Sequence, residues 1–368
     1  MDTSGSDESG RRVPLEIWLS GTSAPSRVEG AAQRLEENGW DGWALVDSQN
    51  LAPDPYVLLA LAANATSGLK LATGVTNPLT RHPATMATAI TTVQAGSGGR
   101  AVLGIGRGDS SLAHLGLAPV APSAFEHYLV RLQAYLSGRD VPFEAANDGA
   151  GVARASTTLK MAGGPESSRI RWITAAASTL PKVPVDVAAS GPRVIALAAR
   201  HAERVTFAVG SDPDRLAWAI AESRKDPSRQ PEIGAYLPVV VHPDRDTARG
   251  LISGGIGSFA RFSAMHGHVQ GPVDDQERVV LQRVHDSYNM EQHFSQGSPQ
   301  SRVLTPEVID AFGIAGPPDY CIERLRQLIG LGLSKLVLLG GGRGMEADAS
   351  ARSHELLTRE VLPALRLP

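Results

Sequence analysis

The sequence predicts an α/β protein, a (β/α)8 TIM barrel with insertions. Two observations carry this. Short apolar runs alternate with segments of helical spacing through eight units, and those units fit a chain of 368 residues once two polar stretches are set aside. Strands joined by helix-sized crossovers pair in parallel, and eight such units close into a barrel more readily than they spread as an open sheet.

Residues 15–19 (LEIWL) read as the first strand. Residues 27–37 follow with helical spacing of Val28, Ala31, Ala32 and Leu35, and Asn38-Gly39 stops the helix because glycine accepts the left-handed conformation there. Residues 43–46 are the second strand, 55–65 a helix stopped by Ser67-Gly68, and 69–75 the third strand. A helix at 84–95, a strand at 101–105 and a helix at 125–136 come next, closed by Ser137-Gly138. The rhythm then breaks, since residues 139–182 are polar, with 156–161 suited to a small hairpin, and read as an insertion. It resumes with strand 183–188, helix 192–201, strand 204–209, helix 214–225 and strand 234–241. Residues 255–312, richer in His, Gln and Asp, read as a second insertion. Helix 318–329, strand 334–339 and helix 353–365 finish the count. The acidic, polar residues 1–13 have too little hydrophobicity to order themselves and are read as a disordered tail before a single domain at 14–368.

Composition excludes several classes of function. A hydrophobic content of 42% supports a large core, and a formal charge of −3 gives no overall attraction to nucleic acid or an anionic membrane. A single cysteine, Cys321, makes no internal disulfide, no apolar run spans a bilayer, and residues 1–13 lack a secretory signal, so the cytoplasm is the expected setting.

A closed barrel gathers the C-terminal ends of its strands on one rim, where such folds do their chemistry. That rim is expected to hold Ser20-Gly21, Asp47 to Asn50, the unusual stretch TGVTNPLTRHP at 73–83, Gly106 to Asp109, Ala189 to Pro192, Gly210 and Gly340 to Gly344. The run GIGRGDSS at 104–111 misses the dinucleotide fingerprint because its third glycine falls one place early. Its glycines Gly106 and Gly108 still let backbone amides approach a phosphate, and Arg107 can add charge-assisted bonds. Ala189-Ser190-Gly191-Pro192 opens a helix with proline at the first position, which suits an anion at the positive end of the helix dipole. Gly340 to Gly344 ranks third as a phosphate loop.

Asp47, Gln49, Asn50, Asp54 and Asp109 are the polar groups expected to face the cavity, with Asp109 first choice as proton donor. The alternative is that Asp109 caps its turn or anchors Arg107. His266, His268, His285 and His293 lack a third ligand at recognisable spacing, so no metal is expected. Cys321 reads as a small buried hydrophobe, and no Gly-x-Ser-x-Gly elbow, Walker loop or His-Glu-x-x-His motif occurs.

Several motifs resemble the bacterial luciferase-like superfamily, and within it the coenzyme F-420 (deazaflavin) dependent reductases similar to methylenetetrahydromethanopterin reductase. They are NGWDG at 38–42, TGVTNP at 73–78 with RHP at 81–83, SGGR at 97–100 leading into LGIG at 103–106 and Gly108-Asp109, Ser190-Gly-Pro192, and the segment 316–332. The resemblance covers most of residues 14–365. It implies a bulge in strand three with a non-prolyl cis peptide at Gly74-Val75, pressed with Thr76 and Asn77 against the central ring of a flavin or deazaflavin. It further implies coenzyme F-420 with FMN as the alternative cofactor, hydride transfer to an electron-poor C=C, C=N or C=O of a small molecule or peptide, and a homodimer. An FMN monooxygenase is the main rival activity, and a non-catalytic flavin-binding relative a third reading. Where several deazaflavin enzymes of the superfamily place a histidine after strand two, this chain has Asp47-Ser48-Gln49, which argues against their alcohol-to-ketone chemistry and for a reductase that takes its acid from Asp109 or solvent.

Overall fold

A computed structural model describes residues 14–143, 163–172 and 179–367. The barrel strands are β1 (Glu16–Gly21), β2 (Gly42–Leu45), β3 (Lys70–Thr73), β4 (Ala101–Ile105), β5 (Val185–Ala189), β6 (Arg204–Phe207), β7 (Glu232–Val241) and β8 (Lys335–Leu339). Each pairs in parallel with its neighbours in chain order. The ring closes where β8 meets β1, with Glu16 opposite Lys335. The result is a (β/α)8 barrel, as the alternation requires. A further short strand, Ile314–Gly316, pairs with the upper end of β7 at Val239 to Val241.

Period-two alternation sorts the strand side chains into two cores. Ile17, Leu71, Leu103 and Val187 face outward and pack with Leu59, Ile90, Leu132, Ile195 and Leu325 of the surrounding helices. Trp18, Ala44, Ala72, Val102, Tyr236 and Val337 fill the inside. Trp18 is fully buried, and a Cβ at Gly42 would overlap its indole, so glycine on β2 makes room for the ring.

The barrel floor is charged. Lys335 Nζ lies 2.6 Å from Asp186 Oδ2 and 4.2 Å over the Trp18 ring, while Thr206 Oγ1 donates to Asp186 Oδ1 at 2.7 Å. Glu16 sits at the same end between Arg204 and Lys70; burial pushes its carboxyl up, but the two cations win and hold it at about 2.

Helices α1 (Val28–Glu37), α2 (Pro55–Ala65), α3 (Pro83–Gly96), α4 (Pro122–Leu136), α5 (Pro192–His201) and α6 (Pro213–Ser223) lie close to their expected places. The largest departure follows β7, where α7 (Arg245–Ala264) is one helix of 20 residues, so the expected insertion boundary at 255 falls inside it. Its period was masked by Gly250, Gly254, Gly255 and Gly257. Three of these serve close packing: a Cβ at Gly254 would stand 2.7 Å from the Gln296 amide, one at Gly257 3.1 Å from Gln300, and the Gly255 amide itself donates to Gly341 O at 2.9 Å. Beyond α7 the second insertion contains α8 (Asp275–Asp286), opened by a capping box of Asp274 and Glu277, and α9 (Pro306–Phe312). In the first insertion Val141–Pro142 pairs antiparallel with Ser167–Ser168. The tail at 1–13 and the hairpin expected at 156–161 lie outside the described residues. Among the described residues no helix is long and apolar enough to cross a membrane.

The buried pair on the floor makes a measurable demand. Lys335→Met leaves Asp186 charged and unmatched, and is expected to cost about 3 to 5 kcal/mol of unfolding free energy. Adding Asp186→Asn, which keeps an acceptor for Thr206, is expected to recover most of that loss in urea denaturation; a double variant no more stable than the single one would refute the pairing argument.

Candidate active site

The stretch at 73–83 is built around a bulge. After Thr73 the Gly74-Val75 peptide is cis, as the resemblance implied. Pairing with β4 resumes at Thr76, whose amide donates to Gly104 O at 2.9 Å and whose carbonyl accepts from the Gly106 amide at 2.9 Å. Val75 is thereby placed over the glycines of β4: Cβ atoms at Gly104 and Gly106 would stand 3.4 and 3.2 Å from its methyl groups. A Cβ at Gly74 would lie 2.8 Å from Ala44 Cβ on β2, so only glycine fits there.

The polar residues that follow hold the loop in shape. Asn77 is buried, and its Oδ1 accepts from the amides of Leu79 at 3.0 Å and Thr80 at 3.1 Å. Arg81 pairs with Asp54, lies 4.4 Å over the Tyr56 ring, and through its carbonyl accepts from the Tyr128 hydroxyl at 2.8 Å. His82 caps α3, with Nδ1 accepting from the Ala84 amide at 3.2 Å. Asp54 caps α2 through the Tyr56 amide at 2.9 Å.

Asp47 lies at the end of β2 and is only 4% exposed. Thr76 Oγ1 donates to its Oδ2 at 2.6 Å and Gln49 Nε2 to its Oδ1 at 2.5 Å. Gln49 Oε1 in turn lies 3.5 Å from Asn77 Nδ2. Burial raises the Asp47 pKa above its ordinary value, outweighing Thr76, Arg81 and Gln49, all of which favour the charged form. The structure thus joins Asp47, Gln49, Thr76 and Asn77 in one hydrogen-bonded group.

Asp109 is placed differently from the expectation. Both its carboxylate oxygens accept from Arg261 Nη1 of α7, at 2.5 and 2.6 Å, and both side chains are mostly buried. Its side chain therefore anchors neither Arg107 nor the turn, and the Arg261 cation beside it favours the charged carboxylate over a proton donor. Arg107 instead donates from Nε to Val120 O at 2.5 Å, and burial lowers its pKa. Gly108 has φ +86, and a Cβ there would overlap Leu112.

At the end of β5, Gly191 is the N-cap of α5 and Pro192 its first residue. A Cβ at Gly191 would stand 2.5 Å from Gln270 Oε1, so the second insertion lies over Ser190-Gly191. Basic groups converge here: the His266 pKa is lowered first by burial and then by the charges of Arg107, His268, Arg193 and Arg261. Arg107 and Arg193, from the β4 and β5 loops, thus both act on one imidazole of the second insertion.

The third-ranked loop is committed to packing. The Arg343 amide donates to Phe294 O at 2.6 Å, the Gln296 amide to Arg343 O at 2.9 Å, and Gly341 O accepts from Gly255. Among the described residues no group of three or more His, Cys, Asp or Glu could hold a metal. Cys321 is buried, its thiol pushed up to about 12 by burial.

Arg261 and Tyr288 were not singled out from sequence, and His293 was weighed there only as a metal ligand and set aside. The Arg261 guanidinium lies 4.5 Å over the Tyr288 ring, and the Tyr288 hydroxyl is 2.5 Å from His293 Nδ1. Nothing in their spacing could have shown this, because Asp109 and Arg261 stand 152 positions apart.

Asp47 carries a pH signature. Its folded pKa is raised above 3.8, so its contribution to stability is complete below pH 3.8 and is lost as pH rises through the raised value. Asp47→Asn is expected to raise Tm at pH 7 and leave it unchanged near pH 3; an equal gain at both pH values would contradict the assignment.

The sequence model of the luciferase-like monooxygenases matches residues 12–335. A 5,10-methylenetetrahydromethanopterin reductase from Archaeoglobus fulgidus is 26% identical over 342 residues, covering 90% of this chain and 93% of its own. An F420-dependent glucose-6-phosphate dehydrogenase from Microbacterium testaceum is 26% identical over 370 residues, covering 94% and 98%. The solved structure of the coenzyme F420-dependent tetrahydromethanopterin reductase from Methanopyrus kandleri superposes with a TM-score of 0.66 at 23% identity, over 96% of this chain and 99% of its own. At that identity it speaks to the fold.

Proposed function

The chain belongs to the luciferase-like monooxygenase family, and from that premise we propose that it is a coenzyme F-420-dependent oxidoreductase which reduces an electron-poor C=C, C=N or C=O bond. Relatives named for F420-dependent or methylenetetrahydromethanopterin chemistry, aligned over nearly the whole chain, support the cofactor class.

The observation that supports the reading is that Arg107 and Arg193, beside the two glycine loops, both act on His266 from the ends of β4 and β5. These residues fit a ligand with an anionic tail. Gly106 to Asp109 and Ala189 to Pro192 would hold that tail, and Gly74, Val75, Thr76 and Asn77 would support the ring. The deazaflavin, when bound, supplies a hydride. The protein's own part is positional and electrostatic: Val75 offers an apolar face at the barrel mouth, and the Thr76 to Asp47 hydrogen bond ties β3 to β2. Asp47 keeps a carboxyl proton more readily than an exposed aspartate does, so it replaces Asp109 as the acid on this rim.

The lone, buried Cys321 suits a reducing cytoplasm. Leu51, Val57 and Leu79 are 45%, 57% and 51% exposed, and a homodimer contact over them accompanies the reading.

Fluorescence titration with F-420 and with FMN tests the assignment. Arg107→Gln combined with Arg193→Gln is expected to weaken F-420 binding at least about tenfold, since each charge-assisted bond contributes roughly 1.5 to 3 kcal/mol. Tight FMN binding with oxygen-dependent turnover would replace this reading with a flavin monooxygenase.

A further inference from the structure

The β4 loop sets backbone amides beside a carboxylate. Gly106 and Gly108 let main-chain N–H groups approach an anion, yet the next residue is Asp109, whose charge opposes one. Its immediate neighbours do not cancel that charge. Arg107 is turned to Val120: its carbonyl accepts from the Val120 amide at 3.0 Å, and its Nε donates to Val120 O at 2.5 Å. Asp109 is the N-cap residue of the short helix Ser110–Ala113, and its side chain makes no cap bond there.

The cancelling cation arrives from far along the chain. Arg261, near the end of α7, donates from one nitrogen, Nη1, to both Asp109 oxygens at 2.5 and 2.6 Å. Each side chain is 15% exposed, so water and salt screen the pair little. Arg261 is supported in turn by Tyr288, whose ring lies 4.5 Å beneath the guanidinium. It also shares surroundings with the arginines of the two glycine loops: burial lowers the His266 pKa first, and the charges of Arg107, His268, Arg193 and Arg261 follow. A cation so placed leaves the end of the β4 loop without a net negative charge.

We propose that Arg261 is a positioning residue for the cofactor: acting through Asp109, it cancels the carboxylate charge that would otherwise repel an anionic tail from the β4 loop. The inference rests on the deazaflavin reading above and adds a residue of α7 to the control of that cofactor. The charge, more than the shape of the guanidinium, is what the pair requires, since a single nitrogen meets both oxygens and an ammonium can copy that geometry. Removing the cation alone leaves the carboxylate facing any bound anion. Removing both charges leaves the loop neutral again.

Fluorescence titrations test this with two probes, F-420 and 8-hydroxy-5-deazariboflavin, which carries the same ring without the anionic tail. In Arg261→Gln, F-420 affinity is expected to fall at least about tenfold, while the tail-less ring stays within about twofold of wild type. Arg261→Lys is expected to keep F-420 affinity within about threefold. Adding Asp109→Asn to Arg261→Gln is expected to recover most of the F-420 loss. A purely structural role for Arg261 gives another pattern, in which both probes weaken together, in step with Tm, and the second substitution recovers nothing. Should Arg261→Gln not fold, Asp109→Asn alone decides: with Arg261 then uncancelled, F-420 is expected to bind about threefold more tightly, and unchanged or weaker binding overturns the inference. It is equally overturned by parallel loss of both probes in Arg261→Gln, by no loss of either, or by a double variant as weak as the single one. A wild type that fails to bind F-420 removes the cofactor reading itself, and that failure shows before any variant is compared.

Discussion

The pairing of β8 with β1 is the constraint on which the site depends. A parallel sheet that closes on itself has every C-terminal strand end on one side. Asp47, Thr76, Arg107 and Ser190 come from four different strand ends, and ring closure sets them around one mouth. The same closure creates the opposite problem at the other end, where the interior must be filled. Trp18, seated over Gly42, fills it, and the Asp186–Lys335 pair lies beneath with Thr206 supplying a further bond. The polar strand ends of the rim therefore sit above a barrel interior filled by side chains.

The carboxylates on the rim are sorted by what each one meets. Asp54 has Arg81 and the first amides of α2, and Asp109 has Arg261. Among the described residues, Asp47 has only hydroxyl and amide donors within hydrogen-bonding distance, in a buried setting. Hydrogen bonds from Thr76 and Gln49 favour its ionised form less than burial disfavours it. Three aspartates that look alike in sequence are thereby given three tasks: a cap, an anchor and a group able to keep a proton.

The alternation of apolar runs and helical segments was legible because each barrel strand and helix carries its own period. The glycines of the third and fourth strands were legible for a related reason: Gly74 and Gly104 stand where any side chain would strike backbone or Ala44. Arg81 and His82 shared that stretch and looked equally functional, yet they serve Asp54 and the α3 cap. Local sequence does not separate a polar side chain that shapes a loop from one that faces a ligand. The second insertion was the least legible part. Its leading helix owes its glycines to the backbone that packs on it, and that backbone lies some 40 residues later around Ser295 to Gln300. The partner of Asp109 was hidden in the same way, since a contact between α7 and the β4 loop leaves no periodic trace.

The insertion is built into the barrel rather than laid over it. Its first anchor is the Asp109–Arg261 pair at the β4 loop, and its second is the bridge between Ser295 and Arg343 beside β8. The close approach at Gly254 and Gly257 fixes the segment between those anchors against α7. His293 lies on that segment, so its position follows from backbone packing at both ends and from Tyr288, whose own ring is clamped by Arg261. The two halves of the site therefore differ in origin. Strand ends and their glycines provide one half, and helices that interrupt the repeat provide the other. A change in the insertion can leave the ring beneath undisturbed, provided the residue that meets Asp109 remains a cation. Replacing that cation would leave a mostly buried carboxylate unpaired, which costs several kcal/mol, and the imidazole and the β4 loop would lose their common support together.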